Sequence, residues 1–164
     1  MATPTALPAT FVAGNILEAS QLNNLRGAFR VLQVVNASTT TEIVNNTTTY
    51  ADTTLTATIT PSSTSSKILV LVSQNGVAKD GNTSVTLRLM RGATAISTMG
   101  VNVGLTATTA VNNIGGVSQC YLDSPATVAA TTYKTQFISS ANIASAVVQY
   151  ASPMSTITLL EISA

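Results

Sequence analysis

The chain has 164 residues, enough for one domain with a short appendage and for a core that hides roughly 70% of the unfolded surface. Only 8% of its residues are charged, against about 25% in an ordinary soluble domain, while 45% are hydrophobic, so part of the surface is expected to be covered by other chains. The net charge is +1, with Arg26, Arg30, Lys67, Lys79, Arg88, Arg91 and Lys134 scattered singly; no basic stripe exists to neutralise a row of phosphates, and nucleic acid is not an expected partner.

Residues 1–14, with Pro4, Pro8 and Gly14 among small residues, have neither a helical nor an alternating period and read as an extended arm. No basic region followed by a long apolar stretch occurs there, so neither a signal peptide nor a membrane span is expected, and synthesis in a cytoplasm is. Between Asn15 and Arg26 the spacing of Ile16, Leu22 and Leu25 predicts one short amphipathic helix, with Asn15 and Glu18 as a capping box and Gly27 as C-cap. Such a helix either closes one end of the domain or anchors it to another protein. The chain thus divides into an N-terminal segment, 1–27, and a second domain, 28–164.

Everything after Gly27 reads as strand. Phe29, Val31 and Val35, then Leu55, Ala57 and Ile59 alternating with Thr54, Thr56 and Thr58, have the period of two that buries one face. Threonine suits the outer face because its branched Cβ favours extended backbone. Lys67 to Val72 is apolar on both faces, which predicts a central strand whose second face something else must cover. Further strands are predicted at Ser84–Met90, about Thr94–Met99, Val117–Leu122, Thr131–Ser139 with Tyr133 and Phe137 on one face, Ala146–Tyr150 and Ser155–Ile162. Turn residues separate them: Asn75-Gly76, Asp80-Gly81, Arg91-Gly92, Ser124-Pro125 and Ser152-Pro153. Some eight strands spaced in this way predict an all-β fold, an antiparallel two-sheet sandwich of the jelly-roll kind.

Catalytic chemistry finds little footing. With no His, neither a Ser-His-Asp nor a Cys-His arrangement can be assembled. The six acids, Glu18, Glu42, Asp52, Asp80, Asp123 and Glu161, lie far apart in sequence, and most have plain explanations: Asp80 in a turn, Glu18 at a helix start, Glu161 alternating outward on the last strand. Lys79-Asp80-Gly81-Asn82 lacks the further carboxylates of a calcium loop and reads as a hairpin turn. Cys120 has no partner for an intrachain disulfide, and no Cys/His set exists for zinc; a small buried hydrophobe is the reading favoured for it. Gly100 to Gly116 is weakly patterned, either a recognition loop at an exposed tip or a flexible crossover, the crossover being favoured. The expectation is a protein that is not an enzyme and uses no metal or cofactor.

The run from Thr47 through Tyr50, Ala51 and Asp52 to Pro61, followed by Ser65 to Val70, resembles a strand pair of short tailed-bacteriophage fibre and spike proteins. Leu87 to Gly92 and the ending Thr156 to Ile162 resemble strands of the same domains. The resemblance implies a jelly roll of the tumour-necrosis-factor or C1q type, assembled as a homotrimer. Separately, Phe11 to Asn23 looks like the segment by which phage fibre proteins attach to a tail or baseplate, with Glu18 standing where those segments often carry Ser or Thr. It implies virion attachment through Phe11, Val12, Ile16, Leu17, Leu22 and Leu25.

The function so implied is that of a virion structural protein: a tail-associated fibre or spike trimer anchored by its N-terminal segment, contributing to host attachment. A capsid decoration protein that stabilises the head is the alternative. Partners would be further copies of the chain, other tail or capsid proteins and a host surface glycan or protein. A carbohydrate-binding module is a third reading, resting on Tyr50, Tyr121, Tyr133 and Tyr150, of which Tyr133 looks inward.

Overall fold

The computed structural model describes residues 30–141 and 144–163. The expected arm, the expected helix at 15–26 and the attachment residues Phe11, Val12, Ile16, Leu17, Leu22 and Leu25 lie outside the described residues.

Ten strands follow in order: β1 Val31–Thr39, β2 Ile43–Asn45, β3 Ala51–Ile59, β4 Lys67–Lys79, β5 Val85–Arg91, β6 Thr94–Val103, β7 Asn112–Asp123, β8 Thr131–Ser139, β9 Ala146–Val148 and β10 Ser155–Ile162. They form two antiparallel sheets, so the all-β sandwich expected from the alternation is present, and no helix occurs among the described residues. The larger sheet is built on β4. One edge of β4 carries β7; the other carries β10 along Lys67 to Ser73 and then β9 at Ala78 and Lys79, with β1 beyond β10 and β2 beyond β9. The smaller sheet runs β3-β8-β5-β6.

Alternation accounts for the inner faces. Leu55, Ala57 and Ile59 of β3, Ile68, Val70 and Val72 of β4, Leu89 of β5, Tyr133 of β8 and Ile157 and Leu159 of β10 make one apolar cluster. Val77, Val85, Leu87, Phe137, Ala146 and Val148 make a second towards the other end. Thr53, Gln74, Thr135, Gln149 and Ser155 are also fully buried. Thr53 and Thr135 share a hydroxyl hydrogen bond, Thr135 Oγ1 donates to Gln74 Oε1 at 2.9 Å, and Gln74 Nε2 donates to Ser155 Oγ at 3.2 Å. Buried polar groups need partners, and these residues find them in one another.

Three expectations are corrected. Asn75-Gly76 is not a turn but a bulge inside β4, where pairing with β7 shifts register. Gly76 has φ +59°, and a Cβ there would lie 2.6 Å from both Pro153 Cγ and Tyr150 N, so the position excludes a side chain. Gly100 to Gly116 is mostly strand: β6 continues to Val103 and β7 begins at Asn112, which leaves 104–111 as the crossover. Glu161 does not face outward. It is fully buried where β10 passes the 60–66 loop, whose donors hold it there.

Candidate interface

The two outer faces of the sandwich differ in chemistry. On the smaller sheet, Asp52 accepts from Lys134 at 2.8 Å and from Gln136 at 2.7 Å, and Arg88 donates to Gln136 at 2.7 and 3.0 Å while lying 3.5 Å over the Tyr50 ring. Thr58 and Thr132 pair hydroxyls beside them. This is a polar face whose charged side chains already have partners within it; burial would raise the Asp52 carboxyl, but side-chain bonds from Lys134 and Gln136 outweigh it and hold the group below its ordinary range.

The outer face of the larger sheet is uncharged across its rows and apolar along one of them. Strand register sets side chains in rows across β1, β10, β4 and β7. Val34, Leu160, Leu69 and Leu122 form one row; Asn36, Thr158, Leu71 and Cys120 the next; Ser38, Thr156, Ser73 and Ser118 a third. No side chain of these rows is charged. Val34 and Leu122 are each 58% exposed and Leu71 is 39% exposed, with Val31 and Leu32 exposed at the margin. Lys67, at the end of the face, turns its ammonium to Ser124 Oγ at 2.7 Å.

The second face of Lys67 to Val72, which the sequence requires something to cover, is therefore left open by the described residues. Four strands about 4.8 Å apart give a band some 15–20 Å wide, and cross-strand leucine pairs stabilise the sheet without hiding it from solvent. Cys120 lies on this face and is exposed, against the expectation of a buried hydrophobe. The residues turned inward from β7 are its neighbours Gln119 and Tyr121; Gln119 Nε2 donates to Ser97 Oγ at 2.6 Å and Tyr121 packs on the core.

At the end of β4 where the face begins, Asp123 is almost fully buried, accepts two 2.9 Å bonds from Arg91 Nη1 and receives the Tyr133 hydroxyl at 2.6 Å. Burial and that bond push the Tyr133 phenol far above its ordinary value. Arg30 and Ser163 exchange hydrogen bonds at the same end.

Among the described residues no group of three or more His, Cys, Asp or Glu could hold a metal ion. No helix among them is long and apolar enough to cross a membrane. Comparison with protein-family models and with curated protein sequences finds no match to this chain.

Proposed function

We propose that this chain is a non-enzymatic structural subunit of a phage-type virion, self-assembling as a trimer through the outer face of its larger sheet. The observation that carries the reading is the charge-free Val34-Leu160-Leu69-Leu122 row, with Leu71 and Cys120 beside it. Exposed apolar area is stabilised by about 25 cal/mol per Å2 when a neighbour covers it. A stable interface covers about 800 Å2 per partner, more than the leucine rows alone offer, so the neighbour would extend onto the uncharged Ser38-Thr156-Ser73-Ser118 row.

Strand order supports a jelly roll. With the short β2 and β9 set aside, the sequence β1-β10-β4-β7 in one sheet and β3-β8-β5-β6 in the other is that of two interleaved Greek keys. The resemblance to trimeric jelly rolls and the attachment-like residues Phe11, Val12, Ile16, Leu17, Leu22 and Leu25 favour a tail fibre or spike. A capsid decoration protein, assembled through the same charge-free rows, is the second reading.

Light scattering of the purified protein tests assembly. The expected mass is three times 16.8 kDa, and Leu122→Lys should reduce it to a single copy without changing the β-sheet circular dichroism. A wild-type monomer would refute the reading. Imaging labelled copies on virions then separates a few copies at the tail from scores on the head.

A further inference from the structure

The larger sheet ends in two edge strands, and both are open. Among the described residues β1 pairs only with β10 and β7 only with β4, so the outward half of their backbone N–H and C=O groups meets no other strand. Both edges are regular where they flank the rows: pairing runs from Gln33 to Thr39 on β1, and from Gly116 to Asp123 on β7, without a shift.

Edge strands are ordinarily guarded by charge, proline or bulges, which discourage pairing with another chain. The smaller sheet has such guards. Its β3 carries Asp52 and a register shift between Asp52 and Thr56, where Thr54 has φ +67°, and its β6 meets β5 across three shifts. The larger sheet lacks them: β1 has neither a charged residue nor a proline, and the one charge of β7 is Asp123, buried against Arg91.

Strand sense and width favour closure. β1 is antiparallel to β10, β10 to β4 and β4 to β7, so β1 and β7 run in opposite directions. Rotation about an axis along the strands keeps those directions, and β1 of one copy set beside β7 of the next is an antiparallel pair. Four strands about 4.8 Å apart make a wall about 19 Å wide, and three such walls closed into a triangular prism each stand about 5.5 Å from the axis, close to half of the ~10 Å that packed sheets keep. Four walls would stand about 10 Å from the axis around an open channel, and two walls packed face to face would hold their edges about 10 Å apart, beyond hydrogen-bond reach.

We propose that the free edge of β1 in one copy hydrogen-bonds to the free edge of β7 in the next, closing three larger sheets into a prism whose interior is lined by the uncharged rows. The inference rests on the trimer proposed above and adds which strands meet. It carries the Val34-Leu160-Leu69-Leu122 row on into the next copy, so each wall covers the others, and it leaves no edge of the larger sheet unpaired along the rows. Pairing of β1 with β1 about a twofold axis would instead leave β7 open and the leucine row in water.

The test pairs the native thiol of Cys120 with one placed on β1. Asn36 and Cys120 lie in one row at opposite edges of the sheet, and both are exposed. Strand tilt in a closed ring offsets the pairing, so Val34→Cys, Asn36→Cys and Ser38→Cys are made separately in the full chain, oxidised with copper phenanthroline and run on non-reducing gels. One of the three should give a covalent trimer as its main product, reversed by dithiothreitol, because facing cysteines of an antiparallel pair lie within disulfide reach. Thr98→Cys, on β6 of the smaller sheet, should give none. Light scattering before oxidation separates the two ways of failing. A three-copy mass with no covalent trimer from any β1 variant, a covalent trimer from Thr98→Cys in equal yield, or a covalent dimer from Asn36→Cys in a Cys120→Ser background would overturn the edge pairing and leave the trimer standing. A single-copy mass for the wild-type chain would refute the trimer and the pairing with it.

Discussion

Thr135 Oγ1 donates to the Gln74 side-chain carbonyl at 2.9 Å with neither residue exposed. The bond joins the two sheets, because Thr135 belongs to β8 and Gln74 to β4. Thr53 adds its hydroxyl from β3, and Ser155 receives the Gln74 amide from β10. Oriented to satisfy both ends, the Gln149 amide accepts from Ser155 and Gln74 and donates to the Thr41 carbonyl. A cross-core chain of this sort admits one register, since a slip by one residue would leave every member unpartnered.

Thr135→Val keeps the volume but removes the hydroxyl, stranding Gln74 Oε1 in the core, while Thr53 Oγ1 keeps the Thr135 carbonyl and Leu55 N. The expected loss is about 1–3 kcal/mol by urea unfolding. Gln74→Met should cost a similar amount, and the double variant less than the two together by about 1 kcal/mol, because the groups act as a unit. Strict additivity would show that the chain is not coupled.

Acid should weaken the fold through Glu161. Burial alone would raise its pKa, but bonds from Ser62 N at 2.7 Å, Ser62 Oγ at 2.6 Å and Gln33 Nε2 at 2.6 Å, with Ser66 assisting, lower it from 4.5 to about 2. A carboxyl whose folded pKa is depressed contributes stability that is present above its unfolded value and lost as pH falls through the folded one. The window is therefore about pH 4.5 down to 2. Glu161→Gln should cost on the order of 2 kcal/mol at neutral pH and flatten the acid limb of a stability-against-pH curve. An identical acid limb in both proteins would remove Glu161 from the account.

Much of this architecture was legible in the residues, and the exceptions have physical causes. Leu55, Ala57 and Ile59 against their threonines, and Val85, Leu87 and Leu89, alternate without interruption and are buried as expected. Alternation cannot reveal a bulge, so Asn75-Gly76 has the composition of a turn although the strand runs on through it. Glu161 occupies an inward position that polarity argues against; what allows it is the 60–66 loop, whose donors lie about a hundred residues away in sequence. Cys120 sits between two polar residues, Gln119 and Tyr121, and the period of two does not say which side of β7 is inner. The apolar row followed from Lys67 to Val72 being greasy on both sides.

Lys79 is fully buried, and among the described residues no carboxylate pairs with it. Its ammonium donates to three backbone carbonyls, Gly81 at 2.7 Å, Thr108 at 3.2 Å and Thr106 at 3.3 Å, and so pins the 104–111 crossover over the end of the sandwich. Lys79→Met preserves the aliphatic stem and releases those carbonyls. Amide hydrogen exchange across residues 104–111 should then quicken about tenfold while the β4–β10 amides keep their protection. Unchanged exchange in the crossover would mean that packing holds it without the ammonium.

Two glycines with nearly equal backbone angles should respond differently to alanine. Gly76 has φ +59° and no room for a Cβ, whereas Gly92 has φ +56° and open space. Gly92→Ala should cost about 1 kcal/mol, the left-handed penalty alone. Gly76→Ala adds a clash with Pro153 and the Tyr150 backbone and should cost about 3 kcal/mol. Equal costs in thermal unfolding would mean that the β9–β10 turn yields to the new methyl group.

Cys120 supplies an intrinsic probe of the apolar face. It stands opposite Leu71, one row from Leu122, and its thiol is exposed in a single copy of the chain. When a neighbouring copy covers the rows, the thiol is shielded, and its reaction with a maleimide should be slow at concentrations where the trimer persists. Dilution below the dissociation constant should speed it, and Leu122→Lys, which places a charge in the leucine row, should make it fast at every concentration. The β-sheet signal should stay unchanged throughout, since none of these changes touches the inner faces. A thiol that reacts equally fast in wild type and Leu122→Lys at high concentration would mean that the rows stay open to water, and assembly would then have to use another surface.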